Sequence, residues 1–153
     1  MRTACRWWVF DVSDAFLQDI NLSRANLLRA NFRAADVRGG NLNSAQMQYV
    51  DLASANLRDA ILRNADLRNA TLQDADLTGA NLSEADLGGA NLAKADLRNS
   101  DFRNTRWQKI EGIKLANIFG IKDTPPGFLN WAIQNGAIST EWDTEWQALL
   151  ARE

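Results

Sequence analysis

Few side chains in this sequence can do chemistry, and those that can are mostly carboxylates and guanidiniums. Histidine is absent, so Ser-His and Cys-His nucleophile systems and imidazole metal ligands are not available. The single cysteine, Cys5, can form neither an intrachain disulfide nor a thiolate cluster. Among apolar neighbours it reads as a small packed residue rather than a reactive thiol. Seven aspartates (Asp36, Asp51, Asp66, Asp76, Asp86, Asp96 and Asp101) sit at multiples of five from one another, and paired carboxylates can exchange protons as general acid and base. Asparagine takes the equivalent place at Asn41, Asn56, Asn81 and Asn91, and an amide cannot do that work. The position asks for hydrogen bonding, not proton transfer. Gly39-Gly40 and Gly88-Gly89 fall inside the same five-residue frame and do not form a phosphate-cradling loop. Neither an enzyme nor a bound cofactor or metal is expected.

The elements that would position these residues follow from that spacing. Stepping by five from Leu17 to Trp107 gives 19 centres without an insertion, of which 14 are Leu and the rest Phe32, Val37, Met47, Phe102 and Trp107. Two residues before each centre, 14 of 19 positions are Ala, and immediately before it 14 of 19 are Asn or Asp. On an α-helix a five-residue step turns through roughly 500°, so the centres would spread around the cylinder. On a continuous strand five is odd, and they would alternate faces. A single apolar face survives only if the chain turns a corner once per pentad. Each pentad is then one wall of a coil with Ala and Leu inside, Asn or Asp outside, and corner residues such as Gly79, Gly88 and Gly89 after the centre. Stacked coils bury a continuous column and pair their backbones.

The runs Ala65-Asp66-Leu67-Arg68-Asn69, Ala75-Asp76-Leu77-Thr78-Gly79 and Ala80-Asn81-Leu82-Ser83-Glu84 match the A(D/N)LXX motif, and the chain resembles the pentapeptide-repeat family over about two thirds of its length. The resemblance implies an all-β solenoid, a right-handed quadrilateral β-helix with four pentads per coil. On that basis residues 10–109 make about five coils, on the order of 24 Å tall.

The ends divide from this middle. Residues 1–9 read as an N-terminal cap in which Trp7 and Trp8 cover the first coil. Residues 110–153 read as a C-terminal degenerate coil and helical cap. In the latter, 113–119 is a last coil or a short helix, and Thr124-Pro125-Pro126 predicts a helix over 126–134 ending at Asn135-Gly136. A second helix from near Thr140 places Trp142, Trp146, Leu149 and Leu150 on one stripe. Together with Trp131, that stripe either folds back over the last coil or serves as a homodimer seam. Similar tails, with a stretch like Pro126-Gly127-Phe128, occur in cyanobacterial-type members.

Composition constrains function. Seventeen basic against 19 acidic residues give a net charge of −2, without the excess expected of a nucleic-acid binder. The longest N-terminal apolar run, Trp7 to Phe10, is too short for a signal-peptide core or membrane span. With one cysteine, a cytoplasmic protein is expected. Four pentads per coil would stack Arg38, Arg58 and Arg98 in one column, Arg63 and Arg103 in the next, and Arg68 on a third. These arginines form a candidate face for an acidic partner, unless neighbouring aspartates neutralise them. The leading expectation is a non-catalytic protein-interaction or scaffold module whose protein partner is unidentified. By resemblance, the alternative is a DNA-mimicking modulator of type II topoisomerase. That role asks for a long acidic rod, whereas 10–109 holds 12 basic and 13 acidic residues. Nucleic-acid binding lacks the interleaved aromatics it would need.

Overall fold

Each five-residue side has five backbone N–H groups to satisfy, and the coil satisfies them in a fixed way. The computed structural model describes residues 10–152. The expected cap over 1–9 lies outside the described residues. In the side centred on Leu52, the Asp51 N–H donates to Ala30 in the coil before (3.0 Å), while those of Leu52 and Ser54 donate to Thr71 and Gln73 in the coil after (2.8 and 2.9 Å). The Ala55 N–H closes the corner on the Leu52 carbonyl (3.0 Å). Only the Ala53 N–H finds no backbone acceptor, and it takes the Asp51 side-chain Oδ1 instead (2.9 Å). The same bond recurs from Ser13 on Asp11 to Phe119 on Asn117. This explains the Asn/Asp position: either residue offers the oxygen that the turn requires.

Parallel bridges join residues 20 apart from Asp11↔Asn31 through Asp86↔Arg106. Four pentads therefore make one coil, and the coil has four sides. The first is centred on Val12, Phe32, Leu52, Leu72 and Leu92. The second is centred on Leu17, Val37, Leu57, Leu77 and Leu97, and the third on Leu22, Leu42, Leu62, Leu82 and Phe102. The fourth carries Leu27, Met47, Leu67, Leu87 and Trp107. From Leu27 downward the centres and their Ala partners form one buried core, with Trp107 packed partly buried against it. From Asp14 to Asn104 the corner residue two after each centre has positive φ, and most such corners are not glycine; Ala34 and Tyr49 both sit at 57°. Gly79 and Gly89 occupy this corner, but Gly88 lies one residue before it and has ordinary φ.

One residue is inserted after Trp107. The later bridges, Asn91↔Gly112, Asp96↔Asn117 and Asp101↔Lys122, span 21 residues. The segment 112–122 is thus a further partial coil rather than a helix, with Ile113 and Ile118 as buried centres. Ile138 adds one more rung on Asn117.

Two helices follow the coils, α1 (Phe128–Gln134) and α2 (Asp143–Leu150). α1 closes the end of the stack: Phe128 lies 5.0 Å from Phe102 and 5.6 Å from Trp107 between ring centroids, and Trp131 lies 5.3 Å from Trp107. The helix starts later than the prolines suggest. The Phe128 N–H turns back to Pro125, and Gly127 (φ 82°), not Thr124, occupies the N-cap. α2 does not continue that lid and instead lies against the wall of the second side. Trp146 is buried there, and its Nε1 donates to the Leu115 carbonyl (2.8 Å). The expected stripe is broken because Trp142 precedes the helix in extended conformation and is 64% exposed. Leu149 and Leu150 are half-buried.

Candidate functional site

Outward side chains on one side of the stack form columns, so the four-sided coil sorts the surface charges. Within 10–109 the first side carries two bases against four acids, and the second three (Arg38, Arg58, Arg98) against five (Asp19, Asp36, Asp59, Asp76, Asp96). The third carries three against two. The fourth carries four bases (Arg29, Arg68, Arg106, Lys109) against two acids (Asp66, Asp86) and is the most basic.

The six arginines singled out by spacing all form ion pairs. Arg38 binds Asp36 (2.7 Å), Arg58 binds Asp76 (3.2 Å), Arg63 binds Glu84 (2.9 Å) and Arg68 binds Asp66 (2.6 Å). Arg103 lies between Asp101 (3.4 Å) and Asp123 (2.9 Å). The Arg38 and Arg68 guanidiniums hold the Asp36 and Asp66 carboxyls below the usual carboxylate range, helped by amide donors from Gln18 and Gln48. Most of these pairs are solvent-exposed and orient side chains more than they stabilise the fold.

Arg98 has a different task. It pairs with the buried Asp96, reaches Asp143 of α2 (2.7 Å) and the Glu141 carbonyl (3.3 Å), and lies 5.7 Å from the Trp146 ring centre. Its hydrogen bond to Asp96 raises its pKa further above the normal arginine value. Arg98 therefore fastens α2 to the second side.

The fourth side holds the residues that spacing alone did not flag. Tyr49 is 54% exposed and Leu28 46%, and the Arg29 guanidinium lies 5.5 Å from the Tyr49 ring centre. Exposed apolar outward residues stand singly on the second and third sides, at Phe16 and Ile61, whereas here Leu28 and Tyr49 come on successive coils beside Arg29. Lower on the same side, Gly88 and Gly89 leave both positions after Leu87 without a side chain, and Arg68, Arg106 and Lys109 surround the gap. Sorting the pentads in fours, which stacked the arginines into columns, also brings Leu28, Arg29 and Tyr49 onto one side once the apolar outward residues are sorted with them.

Among the described residues no helix is long and apolar enough to cross a membrane. A family model for pentapeptide repeats matches residues 11–43, 45–83 and 80–106, in eight copies. A solved pentapeptide repeat protein (Rfr23) from the cyanobacterium Cyanothece 51142 is similar, with 26% identity and a TM-score of 0.65 over 74% of this chain and 89% of its own. Another, from Nostoc PCC 7120, is 34% identical over 67% of this chain and 74% of its own, with a TM-score of 0.37. HetL, a pentapeptide repeat protein involved in heterocyst differentiation regulation from Nostoc sp. strain PCC 7120, is 28% identical over 86% of this chain and 64% of its own, with a TM-score of 0.41. No curated protein matches. With 20-residue coils, the Asn/Asp turn bond and an Ala/Leu core agreeing with the matched motif, the chain belongs to the pentapeptide repeat family.

Proposed function

We propose that this chain is a non-catalytic protein-interaction module, a right-handed quadrilateral β-helix that docks a partner protein on its fourth side. Backbone bonds above and below each pentad fix the spacing of outward side chains, so a partner meets a pre-ordered surface and little ordering entropy is lost on binding. The observation that carries the reading is the exposed group of Leu28, Arg29 and Tyr49 on the most basic side. Tyrosine and arginine are the residue types that dominate binding energy at protein interfaces, and the net positive charge favours an acidic partner. The paired arginines of the second side are spent on Asp36, Asp76 and Asp96.

Affinity capture from native lysate tests this. Tyr49→Ala combined with Arg29→Glu is expected to lose proteins that wild type retains, whereas Arg38→Glu with Arg58→Glu is expected to keep them. Equal recovery by wild type and the fourth-side variant would reject the reading.

A further inference from the structure

We propose that the gap over Gly88 is a receptor for a single carboxylate of the protein partner. This inference rests on the docking reading above and names the chemistry of one contact within it. The repeat places Gln48, Arg68 and Gln108 at the position of Gly88 in other coils of the fourth side, and Asn69 and Lys109 at the position of Gly89. Where the Gly88 side chain would stand the wall is bare backbone, whereas the Asn69 side chain of the coil before already fills the place beside Gly89. The opening is a recess of about 600 Å³, within the usual range for ligand sites. It is one side chain wide: a Cβ on Gly88 would lie 3.2 Å from the Asp86 Oδ1, 3.8 Å from the Arg68 Cγ and 4.0 Å from the Lys109 Cβ.

Its lining has three cations, Arg68, Arg106 and Lys109, against Asp86 and Glu111. Asp86 is already engaged. It accepts from the Arg106 Nε (3.1 Å), takes the Gly88 N–H (3.0 Å) and lies 4.0 Å from the Arg68 Nε. Arg68 uses Nε and one terminal nitrogen on Asp66. Lys109 has no ion-pair partner among the described residues, and Arg106 forms no bond there through its terminal nitrogens. Unspent donors on a cationic rim suit an incoming carboxylate. Glu111 on the same rim limits the charge accepted: one negative charge is matched by Lys109, whereas a phosphate dianion or a run of acids meets repulsion.

The test uses the full ¹⁵N-labelled chain and a blocked pentapeptide with one central glutamate between glycines. Saturating shifts of the Gly88, Gly89 and Lys109 amides are expected at millimolar peptide, as suits one isolated contact. The same peptide with glutamine, and inorganic phosphate, are expected to leave those amides unmoved. Lys109→Gln should weaken the response about tenfold, the equivalent of 1.4 kcal/mol. Gly88→Gln should abolish it while keeping the melting temperature, because Gln48 and Gln108 occupy the same place in neighbouring coils. No shift with the glutamate peptide, equal shifts with glutamine or phosphate, or an undiminished response in Gly88→Gln would each overturn the proposal. Partner capture separates the two levels. If Gly88→Gln retains what the Tyr49 and Arg29 variant loses, the carboxylate site is wrong and the docking side stands; if both retain it, the docking side fails as well.

Discussion

At the scale of single residues, the Asn/Asp position does one indispensable thing and several optional ones. Its oxygen accepts the N–H that no backbone carbonyl can reach, as Asp51 does for Ala53 at 2.9 Å. Asp51→Ala should therefore cost about 1 kcal/mol, more if the buried N–H stays unpaired, while Asp51→Asn should change little; urea denaturation measures both. Interchange of the two residue types along the repeat was readable in the sequence and pointed to hydrogen bonding as the demand at that position. Its reason was not readable, because it depends on which N–H the ladder leaves over. The ion pairs are the optional part and give a pH signature. The Arg38 and Arg68 hydrogen bonds depress the Asp36 and Asp66 carboxyls below the ~3.9 of an unfolded chain. The folded state then binds fewer protons than the unfolded one in acid, so this contribution is full above about pH 4 and is lost as pH falls further. Melting temperature should drop below about pH 4. Asp36→Asn with Asp66→Asn should flatten that acid limb, since asparagine keeps the turn bond but not the titration.

At the scale of elements, corners and clamps decide what the period of five cannot. The regular corners from Asp14 to Asn104 have positive φ, yet the chain seldom uses glycine there, so L-residues carry strain at many corners. Exposed Ala34, at φ 57°, gains nothing from its methyl group. Ala34→Gly is expected to stabilise the coil by about 0.5–1 kcal/mol, net of glycine's greater entropy loss, read as a rise in denaturation midpoint. The opposite substitution at Gly79 meets the Asp59 side chain of the coil before as well as the strain. α2 depends on Arg98. Arg98→Met leaves the buried Asp96 without its cation, and should cost about 3 kcal/mol, the lower end for a broken buried pair. It should also speed amide exchange in α2 more than in the coils. Adding Asp96→Asn should recover most of the loss. The helices themselves were legible from Asn135-Gly136 and the tryptophans. The broken stripe was not, because the Thr140 hydroxyl accepts the Trp142 N–H (3.3 Å) and donates to Glu145 (2.8 Å), which delays the helix and turns Trp142 outward. Likewise the extra residue near Glu111 hides the last partial coil, since one insertion moves every later residue out of the five-residue frame.

At the scale of the whole molecule, near-neutrality is a sum of unlike sides. The first and second sides are each net −2, the third +1 and the fourth +2, reproducing the 12 bases and 13 acids of 10–109. None of this was legible without the 20-residue coil, because pentads of all four sides share one motif and differ only in outward residues taken every fourth time. The distribution bears directly on the DNA-mimic alternative. A rod that replaces duplex DNA must present negative charge to a basic channel that surrounds it, and duplex DNA carries a charge every ~1.7 Å along its axis. Here two sides would face such a channel with net positive charge, and three of the five acids of the second side, Asp36, Asp76 and Asp96, are already paired with Arg38, Arg58 and Arg98. Under the docking proposal, opposite signs on opposite walls would orient the rod toward one partner face, and the attraction should weaken with salt as exposed charges are screened over ~8–10 Å. The expected result in a supercoiling assay with a type II topoisomerase is undiminished activity at micromolar protein. Inhibition there that survives Arg29→Glu with Tyr49→Ala would mean that the acidic sides, not the fourth, engage the target, and would replace the docking reading with DNA mimicry.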